Sequence, residues 1–198
     1  MGIELQYLEG QTPLDEDEKE GLLIPTITIR KELDEFEQQN IEEAVQWSIL
    51  RKFRQDEVLT EGFLRSLHKK MYGNVWSWAG EFRKTNKNIG VDKWMIGQAL
   101  GSLLDDVTYW IQNKVYTPDE IAIRCKHRVV SIHCFSNGNG RHSRLMADIL
   151  VEKVFGREVF TWGTSSLTKM GQARQAYLKA VRAADNGDYS LLLTFARS

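Results

Sequence analysis

The stretch Ser131–Arg144 constrains the fold of this chain more than any other, because it joins a histidine, a Gly-Asn-Gly turn and two arginines. Apolar residues at three- and four-residue steps precede and follow the turn, a pattern that predicts two consecutive helices joined by a short loop. The first N–H groups of a helix lack intrahelical partners and carry partial positive charge, and glycine lets an anion approach the backbone closely. The start of the second helix is therefore a predicted phosphate-binding site.

The charged residues of this stretch indicate chemistry at that phosphate. Arg141 and Arg144 are three residues apart, so they share a helix face and can contact two phosphate groups. His133 ends the first helix, where it can accept a proton from a group that attacks the phosphate. The chain has no GxxxxGK[ST] sequence and no third glycine after the turn, so neither a P-loop nor a dinucleotide fold is predicted.

This stretch resembles the signature of the Fic family, His-x-Phe-x-acidic-Gly-Asn-Gly-Arg-x-x-Arg. Two positions differ, because Cys134 stands where the family usually has proline and Asn137 where it usually has Asp or Glu. The likeness covers about residues 35–195 and is closest to the branch called mobile mystery protein B. The matching residues are His133, Phe135, Gly138, Asn139, Gly140, Arg141 and Arg144.

The resemblance implies a protein adenylyltransferase, which transfers AMP from ATP to a Tyr, Ser or Thr hydroxyl of a target protein. By motif position, His133 would be the catalytic base and Phe135 a buried anchor of the loop. Arg141 would bind the phosphates and Arg144 the γ-phosphate, while Gly138, Asn139 and Gly140 would form the anion hole. Gly140 favours AMP transfer, because the phosphotransferase branch that resembles Doc toxins has lysine there.

The resemblance also implies Mg²⁺ or Mn²⁺ with ATP, since hard cations commonly bind through phosphate oxygens and few protein ligands. Asn137 is the candidate metal ligand, and its neutral amide is expected to bind the ion more weakly than a carboxylate. We therefore expect a higher metal requirement rather than loss of activity. A zinc site is not predicted, because the histidines and cysteines lack ligand spacing.

A second segment, residues 84–96, reads as a short hairpin. It follows a Trp-Ala-Gly-Glu-Phe-Arg segment that is similar to one found upstream of the Fic signature. In that family the equivalent hairpin is the flap, which holds a target segment by main-chain pairing. The flap residues predicted to dock the target are Lys87, Asn88, Ile89, Gly90 and Val91.

Many Fic proteins restrain themselves with a Ser/Thr-x-x-x-Glu-Gly/Asn helix, whose glutamate pairs with the second motif arginine. Every Glu-Gly pair in this chain lacks the Ser or Thr four residues before the glutamate. A separate small inhibitor protein, similar to an antitoxin, is therefore one expectation, and an unrecognised element of this chain is the other.

Composition limits the classes of protein to which this chain can belong. The 198 residues can bury a core of their own, and the net charge of −1 provides no field toward nucleic acid or an anionic membrane. The start lacks a basic segment followed by an apolar one, and no apolar run could span a bilayer, so no signal peptide and no membrane anchor are predicted. Cys125 and Cys134 show no disulfide or CxxC pattern, and a cytoplasmic location is expected.

We predict an all-α, Fic-type helical bundle in which a central helix-loop-helix carries the active-site loop and a small β-hairpin forms the flap. Residues 1–30 are predicted to be an N-terminal arm with a solvated acidic part, and residues 31–198 the Fic domain. His68 is predicted to be a packed or surface residue without a partner, and His142 a surface or supporting residue. The predicted helices cover residues 31–54, 60–72, 97–114, 118–132, 141–155, 168–184 and 189–196.

Two alternatives to the adenylyltransferase stay open. One is a Fic-type transferase that uses another nucleotide or phosphate donor. The other is a catalytically weak nucleotide- or partner-binding module, for which Asn137 is the single sign. The intact His133 and the two arginines argue against this second alternative.

Overall fold

The computed structural model describes residues 14–163 and 170–198. The helices of these residues, in chain order, are α1 (Glu16–Lys19), α2 (Arg30–Leu50), α3 (Gln55–Val58), α4 (Glu61–Tyr72), α5 (Ile96–Gln112), α6 (Pro118–Ile132), α7 (Asn139–Ile149), α8 (Met170–Asp185) and α9 (Ser190–Arg197). A 3₁₀ turn, Lys93–Met95, precedes α5, and a π-helical turn, Leu150–Val154, continues α7. The all-α prediction is confirmed. The predicted start of the next helix, at residue 168, lies outside the described residues.

Local chemistry explains where the central helices begin. The Thr60 hydroxyl accepts from the Phe63 N–H at 3.1 Å and starts α4. At α6, the Thr117 hydroxyl accepts from the Glu120 N–H at 3.3 Å, and Pro118 occupies the first helical position. The Glu120 carboxylate accepts from Arg124 Nε at 3.0 Å.

The pair α6 and α7 lies at the centre of the bundle, with α5 packed on α6 and α4 on α7. Both helices bury their apolar stripes completely, as the sequence predicted. Burial of a side chain of this size stabilises the fold by about 1.5–3 kcal/mol. The stripe residues are Ile121, Cys125, Val129, Leu145, Met146 and Ile149.

The predicted β-hairpin is not confirmed. Within the described residues, the only recorded β-pairing is an isolated antiparallel bridge between Leu22 and Trp76. Residues 84–92 instead form turns around the Arg83 guanidinium, which donates to the carbonyls of Thr85, at 2.7 Å, and Val91. A buried side chain thus takes the acceptors that a cross-strand ladder would use. We keep the name flap for residues 84–92.

Residues 14–30, the described part of the predicted N-terminal arm, pack on the body of the protein. Leu14 and Ile27 are buried, and the arm pairs with the chain after α4 through Leu23 N–H to Val75 O and Ser77 N–H to Gly21 O, both 2.8 Å. The acidic part is solvated at Asp15, Glu16, Asp17 and Glu20, but Glu18 departs from the prediction because it is buried. The boundary at residue 30 stays a prediction. None of the helices in the described ranges is long and apolar enough to cross a bilayer.

Candidate active site

His133 follows Ile132 as the C-cap of α6, and it adopts a left-handed backbone conformation with φ 58°. This conformation costs a residue with a Cβ about 1–2 kcal/mol, so the surrounding contacts must hold it. The Arg83 Nε supplies one of them by donating to the His133 carbonyl at 2.7 Å. The side chain is only 5% exposed and borders a cavity of about 910 Å³.

The electrostatic surroundings keep the His133 imidazole neutral. Burial is the main cause, followed by the positive charge of Arg83, and together they lower the pKa of His133 to about 4. A neutral imidazole can accept a proton at physiological pH, which is the property that a general base needs.

The N-terminus of α7 faces the same cavity, to which Gly138, Asn139 and Gly140 all contribute. Gly138 has φ 78°, and a Cβ built there would lie 2.5 Å from the Tyr72 ring. The Asn139 side chain closes the loop on itself, because its Oδ1 accepts from Phe135 N–H at 2.9 Å and its Nδ2 donates to Phe135 O at 2.7 Å. Any contact of Asn139 with an anion would therefore come from its backbone N–H, one of the first-turn amides that lack intrahelical acceptors.

The two motif arginines have different surroundings. Arg141 forms an ion pair with the buried carboxylate of Glu37 at 2.6 Å, and Glu37 also accepts from the Trp76 indole N–H at 2.8 Å. Sequence reasoning missed Glu37, which lies on the distant helix α2. One signal for its role is that Glu37 is an acidic residue on the buried side of α2, where a carboxylate needs a partner.

Arg144 is held by aromatic faces. Its guanidinium lies 4.2 Å from the centre of the Tyr177 ring and 5.7 Å from that of Trp162. Its Nε is buried and has no hydrogen-bond partner within the described part of the chain. Behind the Tyr177 ring, the fully buried Lys126 donates to the Tyr177 hydroxyl at 2.6 Å. Arg144 therefore presents positive charge to the cavity, with no carboxylate among these contacts.

Two buried histidines support the active-site loop, and the predictions for both were incomplete. The His68 Nδ1 accepts from Gly80 N–H at 3.0 Å, so its Nε2 donates to the Asn137 carbonyl at 3.0 Å. The ring also stacks on Phe135 with 3.8 Å between centroids. His142 is fully buried and its Nε2 contacts the Leu64 carbonyl at 2.9 Å, so it is not a surface residue.

The flap covers one side of His133. Ile89 and Gly90 line the cavity, and a Cβ on Gly90 would lie 2.7 Å from the His133 Cβ. Val91 N–H donates to Ile132 O at 3.3 Å, whereas Asn88 is exposed. Lys87 points the other way, toward the arm, where its side chain is 4% exposed.

The predicted metal ligand, Asn137, also lines the cavity. Its Oδ1 accepts from the Gly138 N–H at 2.6 Å, which leaves a second lone pair for a cation. The described residues contain no group of three His, Cys, Asp or Glu side chains that could hold a metal ion. An ion at this site would therefore depend mostly on ligands that the nucleotide brings.

Acid should destabilise this protein below about pH 6.5, because burial keeps its histidines neutral. Burial lowers the pKa of His142 to about 4 and that of His68 well below its usual value. The unfolded chain then binds more protons than the folded one, and stability falls as the pH falls from 6.5 toward 4. A fully buried histidine such as His142 contributes a loss on the order of 3 kcal/mol by pH 4.

Urea unfolding between pH 7.5 and 4.5 measures this effect. Asp148 opposes it, because burial raises the pKa of its carboxyl to about 6, so protonation there favours the folded state. The variant His142→Gln should show a smaller loss over this range. A stability that stays constant between pH 7 and pH 5 would contradict the prediction.

Part of this chain matches a known protein family. Residues 58–151 match the model of the Fic/DOC family. A protein adenylyltransferase Fic from Aedes aegypti is 26% identical over 133 residues, which are 65% of this chain and 25% of that protein. The chain thus spans about a quarter of this curated relative.

Solved structures show the same fold. The BepC effector of Bartonella tribocorum, crystallised with bound AMPPNP, has a TM-score of 0.66 at 18% identity, over 91% of this chain and 95% of that one. Fic-1 from C. elegans has a TM-score of 0.65 at 19% identity, over 90% of this chain and 51% of that one.

Proposed function

Since the chain belongs to the Fic/DOC family, we propose that it is a protein adenylyltransferase, which transfers AMP from ATP to a Tyr, Ser or Thr hydroxyl of a target protein. The observation that carries the proposal is the neutral His133 beside the same cavity as the N-terminus of α7 and Arg144. The adenylyltransferase activity of the Aedes aegypti relative supports it.

In this proposal the target hydroxyl oxygen attacks the α-phosphorus of ATP, and His133 accepts its proton. A P–O bond forms to the target, the bond to the β-phosphate oxygen breaks, and pyrophosphate leaves. First-turn amides of α7 and the Arg144 guanidinium stabilise charge on the phosphates. Bound triphosphate adds negative charge near His133, which raises its pKa from about 4 and makes it a stronger base.

The test is label transfer in a cell extract with Mg²⁺ or Mn²⁺, in which α-labelled ATP is compared with γ-labelled ATP and wild type with His133→Ala. We expect protein label from the α-phosphate only, and none with the variant. Label from the γ-phosphate would indicate phosphotransfer, which is the alternative of a Fic-type transferase that transfers a phosphate group instead of AMP. Bound ATP without either label in an extract that contains many proteins would favour a binding module.

Mg²⁺ or Mn²⁺ would enter with ATP and supply charge neutralisation at its phosphate oxygens. We propose that Asn137 contributes one weak oxygen ligand and that Asn137→Asp lowers the metal concentration for half-maximal transfer by about tenfold. A carboxylate adds a charge-assisted contact, and tenfold corresponds to roughly 1.4 kcal/mol. Metal titration of the transfer rate measures it, with the exposed Asn113→Asp as control. An unchanged metal requirement would exclude Asn137 as a ligand position.

A further inference from the structure

The N-terminal arm contacts the flap through two carboxylates. The Lys87 ammonium lies 2.9 Å from Asp15 Oδ2 and also pairs with Glu18. The Thr85 hydroxyl donates to the same Asp15 oxygen at 2.7 Å. These hydrogen bonds, with Lys87 first and Thr85 second, lower the pKa of Asp15 below its usual value. The flap is therefore tied to α1 by a network of charges.

This network is largely removed from water. The Lys87 side chain is 4% exposed and the Glu18 side chain 10%, although Asp15 remains 49% exposed. Desolvating an ammonium and a carboxylate offsets much of their attraction, so a buried ion pair is weak evidence for stability. The ion pairs instead fix the position of the Lys87 side chain, which lies between Asp15 and Glu18.

The arm itself is fixed to the body of the protein. The Trp78 indole N–H donates to the Glu18 carbonyl at 2.8 Å, and a Cβ on Gly21 would lie 2.4 Å from the Trp78 ring. This part of the arm therefore lies against Trp78, in the segment that follows α4. The Asp15 and Glu18 carboxylates therefore have fixed positions on the body of the protein, and they do not move with the flap.

The other end of the flap contacts the candidate base. Gly90 packs against His133, and the Arg83 guanidinium contacts both Val91 O and His133 O. Lys87 and Gly90 are three positions apart, a span of at most about 11 Å in an extended chain. A displacement of Lys87 must therefore change the main chain that lies beside His133.

We propose that Asp15 and Glu18 are positioning residues for target recognition, which hold Lys87 so that residues 88–90 present a fixed main chain beside His133. The partner is an extended segment of the target protein, because main-chain pairing requires an extended chain. This inference rests on the proposed function, and its contacts with the target lie at the flap rather than in the nucleotide cavity.

The test compares Asp15→Asn/Glu18→Gln with Glu16→Gln/Asp17→Asn in the full chain. The control residues belong to the same helix but are exposed, and Glu16 pairs with Lys19 at 2.6 Å, away from the flap. We expect about tenfold faster amide hydrogen exchange in residues 84–92 and about tenfold higher KM for the target. The kcat and the Kd for ATP should not change, and the control should match wild type.

A third variant removes the effect of a stranded lysine charge. Adding Lys87→Met to the double substitution should leave exchange and KM raised, because the tether is still missing. Recovery to wild-type values would show that the charge alone mattered and would overturn the proposal. So would unchanged exchange, or a transfer rate that rises when the arm is released.

Failure of the proposed function would be visible separately. If the wild type transfers no AMP, hydrogen exchange still measures whether the two carboxylates order the flap. If transfer occurs but exchange and KM do not respond, the proposed function stands and the positioning role is wrong.

Discussion

Replacing Gly138 with alanine is expected to lower the proposed AMP transfer by about 100-fold and the free energy of unfolding by about 3 kcal/mol. Gly138 has φ 78°, a conformation that costs an alanine about 1–2 kcal/mol. The new Cβ would also lie 2.5 Å from the Tyr72 ring, which is fully buried and cannot move away without disturbing the core. The loop must shift, and the amides of α7 would leave the position that a phosphate needs.

Gly140→Ala is the matched control for this prediction. A Cβ there would meet nothing within 4 Å, and the residue is inside the first turn of α7. We expect its stability to be unchanged or up to about 1 kcal/mol higher, because alanine favours a helix over glycine. Urea unfolding and label transfer measure both variants. Equal stability of the two would contradict the strain at Gly138.

The central helix-loop-helix could be predicted because its signals are local. The Thr117-Pro118 start, the apolar stripe of α6 and the Gly138 turn all lie within one continuous part of the sequence. Each depends on neighbouring residues only, since capping, periodicity and left-handed turns are properties of short segments. The candidate base and the candidate phosphate-binding helix follow from the same segment.

The contacts that support this segment could not be predicted from local patterns. Glu37 is 104 positions from Arg141, and His68 is 69 positions from Asn137. Spacing along one helix carries no information about which distant element will cover it. Consequently His68 read as a lone histidine, although it donates to the loop from one nitrogen and accepts from Gly80 at the other.

The flap shows how one side chain can replace a regular element. Its sequence has the turn residues of a hairpin, and strand pairing was the natural prediction. Arg83 instead brings a multivalent donor into the loop, and its guanidinium satisfies carbonyls that strands would pair. The same arginine holds the His133 carbonyl, so flap geometry and base geometry depend on one residue.

Removing Arg141 is expected to destabilise the protein more than removing Arg144 does. In Arg141→Ala, the Glu37 carboxylate would stay buried with the Trp76 indole as its remaining described donor. Breaking one side of a buried pair costs about 3–5 kcal/mol, and the 36% exposure of the Arg141 side chain favours the lower value, about 3 kcal/mol. The charge of Arg144 acts on the buried Asp148 carboxyl without an ion pair between them in the described residues. Arg144→Ala should therefore cost less stability and mainly weaken the proposed ATP binding.

Adding Glu37→Gln to Arg141→Ala separates the stranded charge from lost packing. The amide can still accept from Trp76 but carries no charge, so the double variant should recover about 1–2 kcal/mol relative to Arg141→Ala. In the wild-type background the same Glu37→Gln change should be destabilising, because it removes the partner of Arg141. Urea unfolding of the four proteins gives the coupling between the two sites. Additive effects would mean that Glu37 does not stabilise Arg141.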